Sequence, residues 1–278
     1  MRLVDTHCHL QAPAFAEDRA AVLAAARHVG VERIVAPGWD LATSRASVAL
    51  SAQDLGIGAA VGVHPHAAAE VGEDGWAEIV ALAADPHVQA IGETGLDYDR
   101  AFAPREIQLA NLRRNLALAG ATGKPAILHC RSKPGLRDAQ DDLIAELRAA
   151  HLGSTDAVAE AAGGRASSRP PALLHSFSGP LDYAAAALEL GLMISFSGLV
   201  FRAGEEVSAA AARLVPDDRL LVETDSPWLA PPGAPRRRNE PRWVEVTARW
   251  LAEQRGVAPE ALGEQLVANH DRTFGLAG

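Results

Sequence analysis

Short apolar segments rich in β-branched residues alternate along this chain with longer stretches rich in Ala, Leu, Glu and Arg. Apolar runs of this length favour buried strands and the longer stretches favour helices, so the pattern indicates repeated β/α units. The strands are predicted near Leu3–Asp5, Arg33–Ala36, Ile57–Val63, Val88–Glu93, Pro125–His129, Ala172–His175, Leu192–Phe196 and Leu220–Thr224. Eight such units predict an α/β fold of the (β/α)8 TIM-barrel type.

Helices are expected between these strands and after the last one. They are predicted at Glu17–His28, Leu41–Ala52, Trp76–Ala84, Arg105–Ala121, Arg137–Ala150, Leu181–Leu190, Glu205–Leu214, Trp243–Arg255 and Glu260–Phe274. The 278 residues contain no linker-like segment, so we expect a single domain, 1–278. The stretch 151–171 is rich in Ala, Gly, Ser and Arg and breaks the pattern, which predicts a surface insertion.

Polar residues fall at the carboxyl end of strand after strand, which favours a closed barrel over an open sheet. An open parallel sheet places its site at one point where the strand order reverses, whereas a barrel builds it from many strand ends. The sequence also lacks both the Gly-x-Gly-x-x-Gly turn and the Walker phosphate loop. Neither nucleotide-binding architecture therefore has local support.

Composition narrows the function classes. A net charge of −9 argues against a protein that coats long duplex DNA, but it does not exclude a nuclease with bound cations. We find no apolar run suited to a signal peptide or a membrane span and expect a cytoplasmic protein without membrane contact. The two cysteines, Cys8 and Cys130, have no metal-knuckle or disulfide spacing and are expected to be free thiols.

Histidines close several of the predicted strands. His7 and His9 are two residues apart on the first strand, where alternation would direct both rings to one face, as two ligands of one metal require. His129 and His175 end the neighbouring fifth and sixth strands and could share a cation. Each histidine could instead be an ordinary core or surface residue whose ring nitrogens find other partners.

Two carboxylates fall at equivalent positions. Glu93 follows the fourth strand and could bridge two cations, although an acid there can also cap a helix or form a salt bridge. Asp225 follows the eighth strand, which neighbours the first when a barrel closes. It would then approach His7 and His9, as a ligand or as the base that takes a proton from water. An Asx-turn before Pro227 is the alternative.

These motifs together resemble those of TatD-type metal-dependent deoxyribonucleases, within the amidohydrolase-like barrel group. The resemblance runs from end to end of the chain and rests on seven blocks in one order: Asp5–Leu10, Gly62–His66, Gly92–Tyr98, Leu128–Arg131, His175–Gly179, Glu223–Leu229 and Arg238–Pro241. The segment between His129 and His175 is longer than is common in that family, and the turn 99–104 also departs from its pattern.

The resemblance implies a hydrolase with two divalent metal ions. His7, His9, Glu93 and Asp225 would hold one metal, and Glu93, His129 and His175 would hold the second. It also implies exonuclease activity that removes nucleotides from the 3′ end of single-stranded DNA. The residue types do not choose between Mg, Mn and Zn.

Substrate contacts are predicted from residues that neither metal needs. His64 follows the third strand and is assigned to the substrate phosphate or the leaving group, with His66 as the alternative. Arg131 after strand five and Arg238, within the basic loop after strand eight, could bind phosphates. A basic loop of this kind, which also holds Arg236, Arg237 and Arg242, can equally be only solvated.

The predicted reaction is phosphodiester hydrolysis, in which metal coordination lowers the pKa of bound water from 15.7 to about 7. Asp225 is the predicted proton acceptor. The same metals could instead hydrolyse a small ester, lactone or amide, or a D-aminoacyl-tRNA. An open, arginine-lined cleft would favour nucleic acid and a closed apolar pocket a small molecule. A non-catalytic scaffold is the remaining alternative.

Overall fold

The computed structural model describes residues 1–151 and 169–275. The strands are β1 (Leu3–Asp5), β2 (Val31–Pro37), β3 (Ile57–Val61), β4 (Val88–Asp97), β5 (Ala126–Arg131), β6 (Ala172–Leu174), β7 (Met193–Phe196) and β8 (Leu220–Val222). The α-helices of the described ranges are α1 (Arg19–His28), α2 (Leu41–Ser51), α3 (Glu73–Leu82), α4 (Arg105–Thr122), α5 (Asp138–Ala149), α6 (Leu181–Glu189), α7 (Glu206–Leu214), α8 (Val244–Arg255) and α9 (Pro259–Phe274).

The eight strands form one parallel sheet in the order β1 to β8. The first and last strands also meet, which closes the sheet into a barrel. The Thr6 amide, directly after β1, donates to the Val222 carbonyl of β8 at 3.1 Å. A parallel bridge also joins Cys8 to Ser226. The predicted TIM barrel is therefore confirmed, and the carboxyl ends of all the strands face one rim.

Two apolar layers hold the barrel together. The larger one lies between the strands and the surrounding helices. The smaller one takes one side chain from each of β2 to β8 and adds Phe274 of α9: Val35, Ala60, Ala90, Ile127, Leu173, Met193, Leu221 and Phe274. One residue per strand is the pattern expected for a barrel interior filled by side chains, with α9 packed beneath.

Some predicted strand ends were wrong, and the differences matter for the site. β1 has its predicted bounds and ends at Asp5, so the expectation that His7 and His9 lie on this strand was wrong and both residues follow it. Beyond Asp5 the segment still bonds to both neighbours, because the Cys8 amide donates to the Val35 carbonyl and the His9 amide donates to the Ser226 carbonyl. β4 does not end at Glu93 but continues to Asp97. Its pairing with β5 shifts register between Ile91 and Thr94, on either side of Glu93.

The predicted insertion and the single-domain assignment are not tested by the described residues. Most of the predicted insertion 151–171 lies outside the described residues, because positions 152–168 are not among them. The single-domain assignment stays a prediction. Among the described residues, none of the helices has both the length and the apolar character that crossing a bilayer requires.

Candidate metal centre

Glu93 lies at the centre of the candidate site. Its Oε2 atom is 3.2 Å from His7 Nε2 and 3.4 Å from His9 Nε2. Its Oε1 atom is 3.3 Å from His129 Nδ1 and 3.0 Å from His175 Nε2. The structure therefore brings both predicted histidine pairs to one buried carboxylate, with one pair at each oxygen.

The first pair, His7 and His9, follows β1, and Asp225 approaches it from the segment after β8. His7 Nε2 and His9 Nε2 lie 3.0 Å apart, and Asp225 Oδ1 lies 3.8 Å and 3.6 Å from them. The other ring nitrogen of His9, Nδ1, is 3.1 Å from the Pro37 carbonyl, which directs Nε2 inward. Asp225 has a left-handed backbone (φ +54°), a costly conformation for a residue other than glycine.

The second pair is supported by an acid that the sequence analysis did not select. His129 Nδ1 lies 3.2 Å from His175 Nε2. His175 Nδ1 in turn lies 3.1 Å from Glu223 Oε1, which also accepts hydrogen bonds from the amide and the hydroxyl of Ser176, both at 2.8 Å. The available signal for Glu223 was an acid directly after an apolar strand and two residues before Asp225, and the structure shows that it is fully buried.

His64 lies closer to the carboxylate than its predicted role required. Its Nε2 atom is 3.2 Å from Glu93 Oε1, and His64, Glu93 and His129 form one of the groups that could hold a metal ion. His66 instead points to Asp97, with Nε2 2.7 Å from Oδ2. Asp97, also missed by the sequence analysis, lies 3.4 Å from His129 Nε2. The substrate roles of both histidines stay predictions.

The two arginines predicted to bind phosphates differ in how fully carboxylates already engage their guanidinium groups. Arg131 is exposed and binds Asp99 at 2.7 Å. Arg238 donates through both terminal nitrogens to Asp18 and through one of them to Glu240, so it links the loop after β8 to the start of α1. Arg238 therefore does not present an unengaged guanidinium to a phosphate. Its substrate role, like that of Arg131, stays a prediction.

Electrostatics keep Glu93 ionised. Burial by itself would raise the pKa of Glu93, but the surrounding imidazoles, His64 foremost, hold that pKa well below its usual value. Burial lowers the pKa of His7, and it lowers that of His64 to about 4. Glu93 is therefore an ionised carboxylate, and the lowered pKa values of His7 and His64 favour the neutral imidazole that metal ligation requires.

Two other rings hold protons more tightly. Burial opposes a charge on His9, yet the neighbouring carboxylates of Asp225 and Glu93 raise its pKa to about 9. Burial opposes a charge on His175 as well, but Glu93 and Glu223 raise the pKa of this ring well above its usual value. A cation that binds these nitrogens must displace their protons, so metal affinity should increase with pH.

The donor set fits divalent cations. Among the described residues, three groups have ligand atoms within 4.8 Å of one another and could each hold an ion: His7 with His9 and Asp225, His7 with His175 and Glu223, and His64 with Glu93 and His129. Imidazole nitrogens and carboxylate oxygens in this proximity suit zinc, manganese or related metals. Several ligands at the ends of different strands of a barrel are also typical of a catalytic centre.

Comparison with known proteins places the chain in a family. The family model described as TatD related DNase matches residues 4–275. The chain belongs to the TatD family. The resemblance on which the sequence analysis relied is thereby confirmed.

Individual relatives agree over nearly the full length. The Bacillus subtilis protein YabD, described as an uncharacterized metal-dependent hydrolase, is 34% identical over 273 residues, with 98% of each chain covered. A protein of Erwinia billingiae, named 3′-5′ ssDNA/RNA exonuclease TatD, is 34% identical over 281 residues, with 99% of each covered. The crystal structure of YjjV, a TatD homologue from Escherichia coli, superposes with a TM-score of 0.84 at 25% identity, over 99% of this chain and 98% of that one.

The family match and the relatives assign the chain to a general class of enzyme. This TatD-family chain is a metal-dependent hydrolase, and the prediction that it is an enzyme is confirmed.

Proposed function

We propose that this hydrolase is a 3′-to-5′ exonuclease that uses two divalent cations to cleave phosphodiester bonds at the ends of single-stranded DNA. The position of Glu93, one oxygen toward each histidine pair, is the observation on which the proposal rests. Two cations that share a bridging carboxylate can stabilise both the attacking and the departing oxygen of an in-line displacement. The name of the Erwinia billingiae relative supports the substrate class.

The first ion would be held by His7, His9, Glu93 and Asp225, and the second by Glu93, His129 and His175. When bound, such cations supply Lewis-acid polarisation of the phosphoryl oxygen and lower the pKa of water. Asp225 would accept the proton of the attacking water, and this choice is supported by its side chain being 14% exposed whereas that of His7 is fully buried. Exposed Arg131 would contact a substrate phosphate.

The direct test is cleavage of end-labelled oligonucleotides. The purified protein is stripped with a chelator and reloaded separately with Mg²⁺, Mn²⁺ or Zn²⁺. Single-stranded DNA, blunt duplex DNA and single-stranded RNA of the same sequence are then compared, with the label at the 5′ end. We expect a ladder that shortens from the 3′ end with single-stranded DNA and at least one metal, and no cleavage in chelator. Cleavage of no nucleic acid with any metal would refute the nuclease proposal and favour a small-molecule substrate.

The bridging role of Glu93 has its own test. Glu93→Gln keeps the size of the side chain but removes the charge that faces both histidine pairs, so hydrolysis should fall at least about 100-fold. Metal content, measured by atomic emission, should fall with it, while circular dichroism shows an intact fold. Glu189→Gln, an exposed acid on α6, is the matched control and should behave as wild type. Full activity and full metal content in Glu93→Gln would exclude the bridge.

A further inference from the structure

Two tryptophans border the metal-binding group on one side. Trp39 follows β2 and Trp228 follows β8, the two strands that flank β1 in the closed barrel. The ring centroid of His9 lies 5.2 Å from that of Trp39 and 4.9 Å from that of Trp228. Both indoles therefore contact a ring whose other edge faces Glu93.

About half of the Trp228 side chain is exposed to solvent. Trp228 is 51% exposed, although tryptophan is highly buried on average. Its ring contacts within the described residues are with His9 and Trp39, at interplanar angles of 70° and 68°. Both contacts are edge-to-face, so in the described part of the chain no aromatic ring is stacked on the indole.

Hydrogen bonds fix the backbone that carries each indole. The Trp228 amide donates to the Asp225 carbonyl at 2.9 Å, and buried Asn239 ties the same turn through its amide to the Pro227 carbonyl at 2.9 Å. The Trp39 amide donates to Thr43 Oγ1 at 2.9 Å, where Thr43 forms a capping box at the start of α2. A surface fixed in this way loses little conformational entropy when a flat ligand binds.

We propose that Trp228, with Trp39 as its side wall, stacks the base of one of the two nucleotides joined by the scissile phosphate. The inference rests on the proposed nuclease function and names the subsite that holds the base. A single sugar separates a phosphate from its base, so a phosphate held beside His9 brings the base onto the neighbouring indole. Every base has a π-face, so such a platform binds single strands with little sequence preference. Paired bases remain stacked within their duplex and are not available to it.

Exposure alone would not support this assignment. Leu55 and Leu214 are 86% and 65% exposed, and isolated exposed apolar side chains are normal in proteins. Trp228 differs because its ring contacts a candidate metal ligand and stands on the rim where barrel enzymes bind substrates.

The test compares two substitutions at one position. Trp228→Leu keeps an apolar side chain but removes the aromatic face, whereas Trp228→Phe keeps an aromatic face. The substrates are a single-stranded oligonucleotide and two copies with an abasic residue at the last or the penultimate position. Trp228→Leu should lower kcat/KM on the intact strand by about 5- to 150-fold, the range that one base stack represents. Trp228→Phe should recover most of it.

The abasic substrates identify the effect as stacking. Wild-type protein should cleave one of them more slowly than the intact strand, and Trp228→Leu should lose most of that discrimination. Leu55→Ala, on the surface away from the site, should match wild type on all three. Equal effects of Trp228→Leu on intact and abasic strands would overturn the inference, as would a Trp228→Leu variant as active as wild type.

Fluorescence gives a readout that does not depend on turnover. A phosphorothioate-linked oligonucleotide that resists cleavage is titrated onto the metal-loaded protein, and stacking should quench part of the emission of its five tryptophans. Trp228→Phe should lose most of that quenching while still binding the strand by anisotropy. Undiminished quenching in Trp228→Phe would overturn the stacking inference but leave the proposed nuclease function standing. Absence of both cleavage and strand binding in wild type would instead overturn the proposed function, and the inference with it.

Discussion

At the scale of single residues, the candidate metal centre depends on buried carboxylates that each find polar partners. Glu93 is 4% exposed and faces imidazoles at both oxygens. An isolated buried carboxylate would be strongly destabilising, so these partners are what keep its charge inside the barrel. The same reasoning explains Glu223, which is fully buried behind His175 and bonded to Ser176.

Glu223 should act through His175 on metal affinity. A carboxylate behind a ligating imidazole orients the ring and increases its basicity, and loss of such a partner costs about 10- to 100-fold in affinity. We therefore expect Glu223→Gln to bind Mn²⁺ or Zn²⁺ about 10- to 100-fold more weakly in isothermal titration calorimetry. Glu189→Gln again serves as the control. Unchanged affinity in Glu223→Gln would show that His175 does not depend on this acid.

At the scale of elements, the rim is shaped by close approaches between neighbouring strands. Gly95 lies on β4 beside His129 on β5. It has a left-handed φ of +134°, and a Cβ atom there would lie 1.9 Å from the His129 carbonyl oxygen. The backbone of β5 can therefore place the His129 ring against Glu93 only because this position has no side chain.

Gly95→Ala should force β4 and β5 apart. Backbone strain together with overpacking predicts a loss of about 2 to 4 kcal/mol in the free energy of unfolding, measured by urea denaturation. Metal binding should weaken as well, because the His129 ring moves. Gly120→Ala on α4 is the control, since a Cβ there meets nothing within 4 Å and should stabilise the helix by about 0.5 to 1 kcal/mol. Equal stability of the two variants would contradict the close approach.

The last helix, α9, makes stability depend on pH through His270. Burial lowers the pKa of His270 from its usual 6.5. Below pH 6.5 the unfolded chain binds a proton that the folded ring resists, so the free energy of unfolding falls as the pH falls, by at most about 1.4 kcal/mol per pH unit from this group. His270→Gln should flatten the profile between pH 6.5 and 5 in urea melts. Exposed His28→Gln should keep the wild-type slope, and the same slope in both variants would disprove the linkage.

At the scale of the whole molecule, the proposed metal ligands come from distant parts of the chain. His7 and Asp225 follow the first and last strands, and their backbones are joined where the Asp225 amide donates to the His7 carbonyl at 2.8 Å. The metal group therefore forms only when the barrel closes, and unfolding separates its members. Ligands that bind only the folded state stabilise it by mass action.

Metal removal should consequently destabilise the protein. Chelator-treated protein should unfold at lower urea than protein with Mn²⁺ or Zn²⁺, and a cation at 100 times its Kd adds about 2.7 kcal/mol. Glu93→Gln should lose most of this difference, whereas Glu189→Gln should retain it. A metal-independent midpoint in wild type would show that cations do not bind the folded site.

Much of the site followed from residue order alone. Apolar runs with histidine or carboxylate after them indicated where the strands end, and the family resemblance implied that His129 and His175 meet Glu93. Glu223 and Asp97 were missed because, in sequence, an acid beside a strand end looks like any capping acid, and its burial is not visible. What distinguishes them is the imidazole that lies against each one, of His175 and of His66.

The sequence by itself determined the eightfold β/α repeat, the barrel and the positions from which ligands come, because hydrophobic periodicity and strand-end residues are local properties. Only the tertiary structure decided which oxygen of Glu93 faces which histidine pair, that Arg238 is engaged by Asp18, and that Trp39 and Trp228 meet at His9. These are contacts between residues far apart in the chain, and side-chain direction and desolvation at the closed rim determine them.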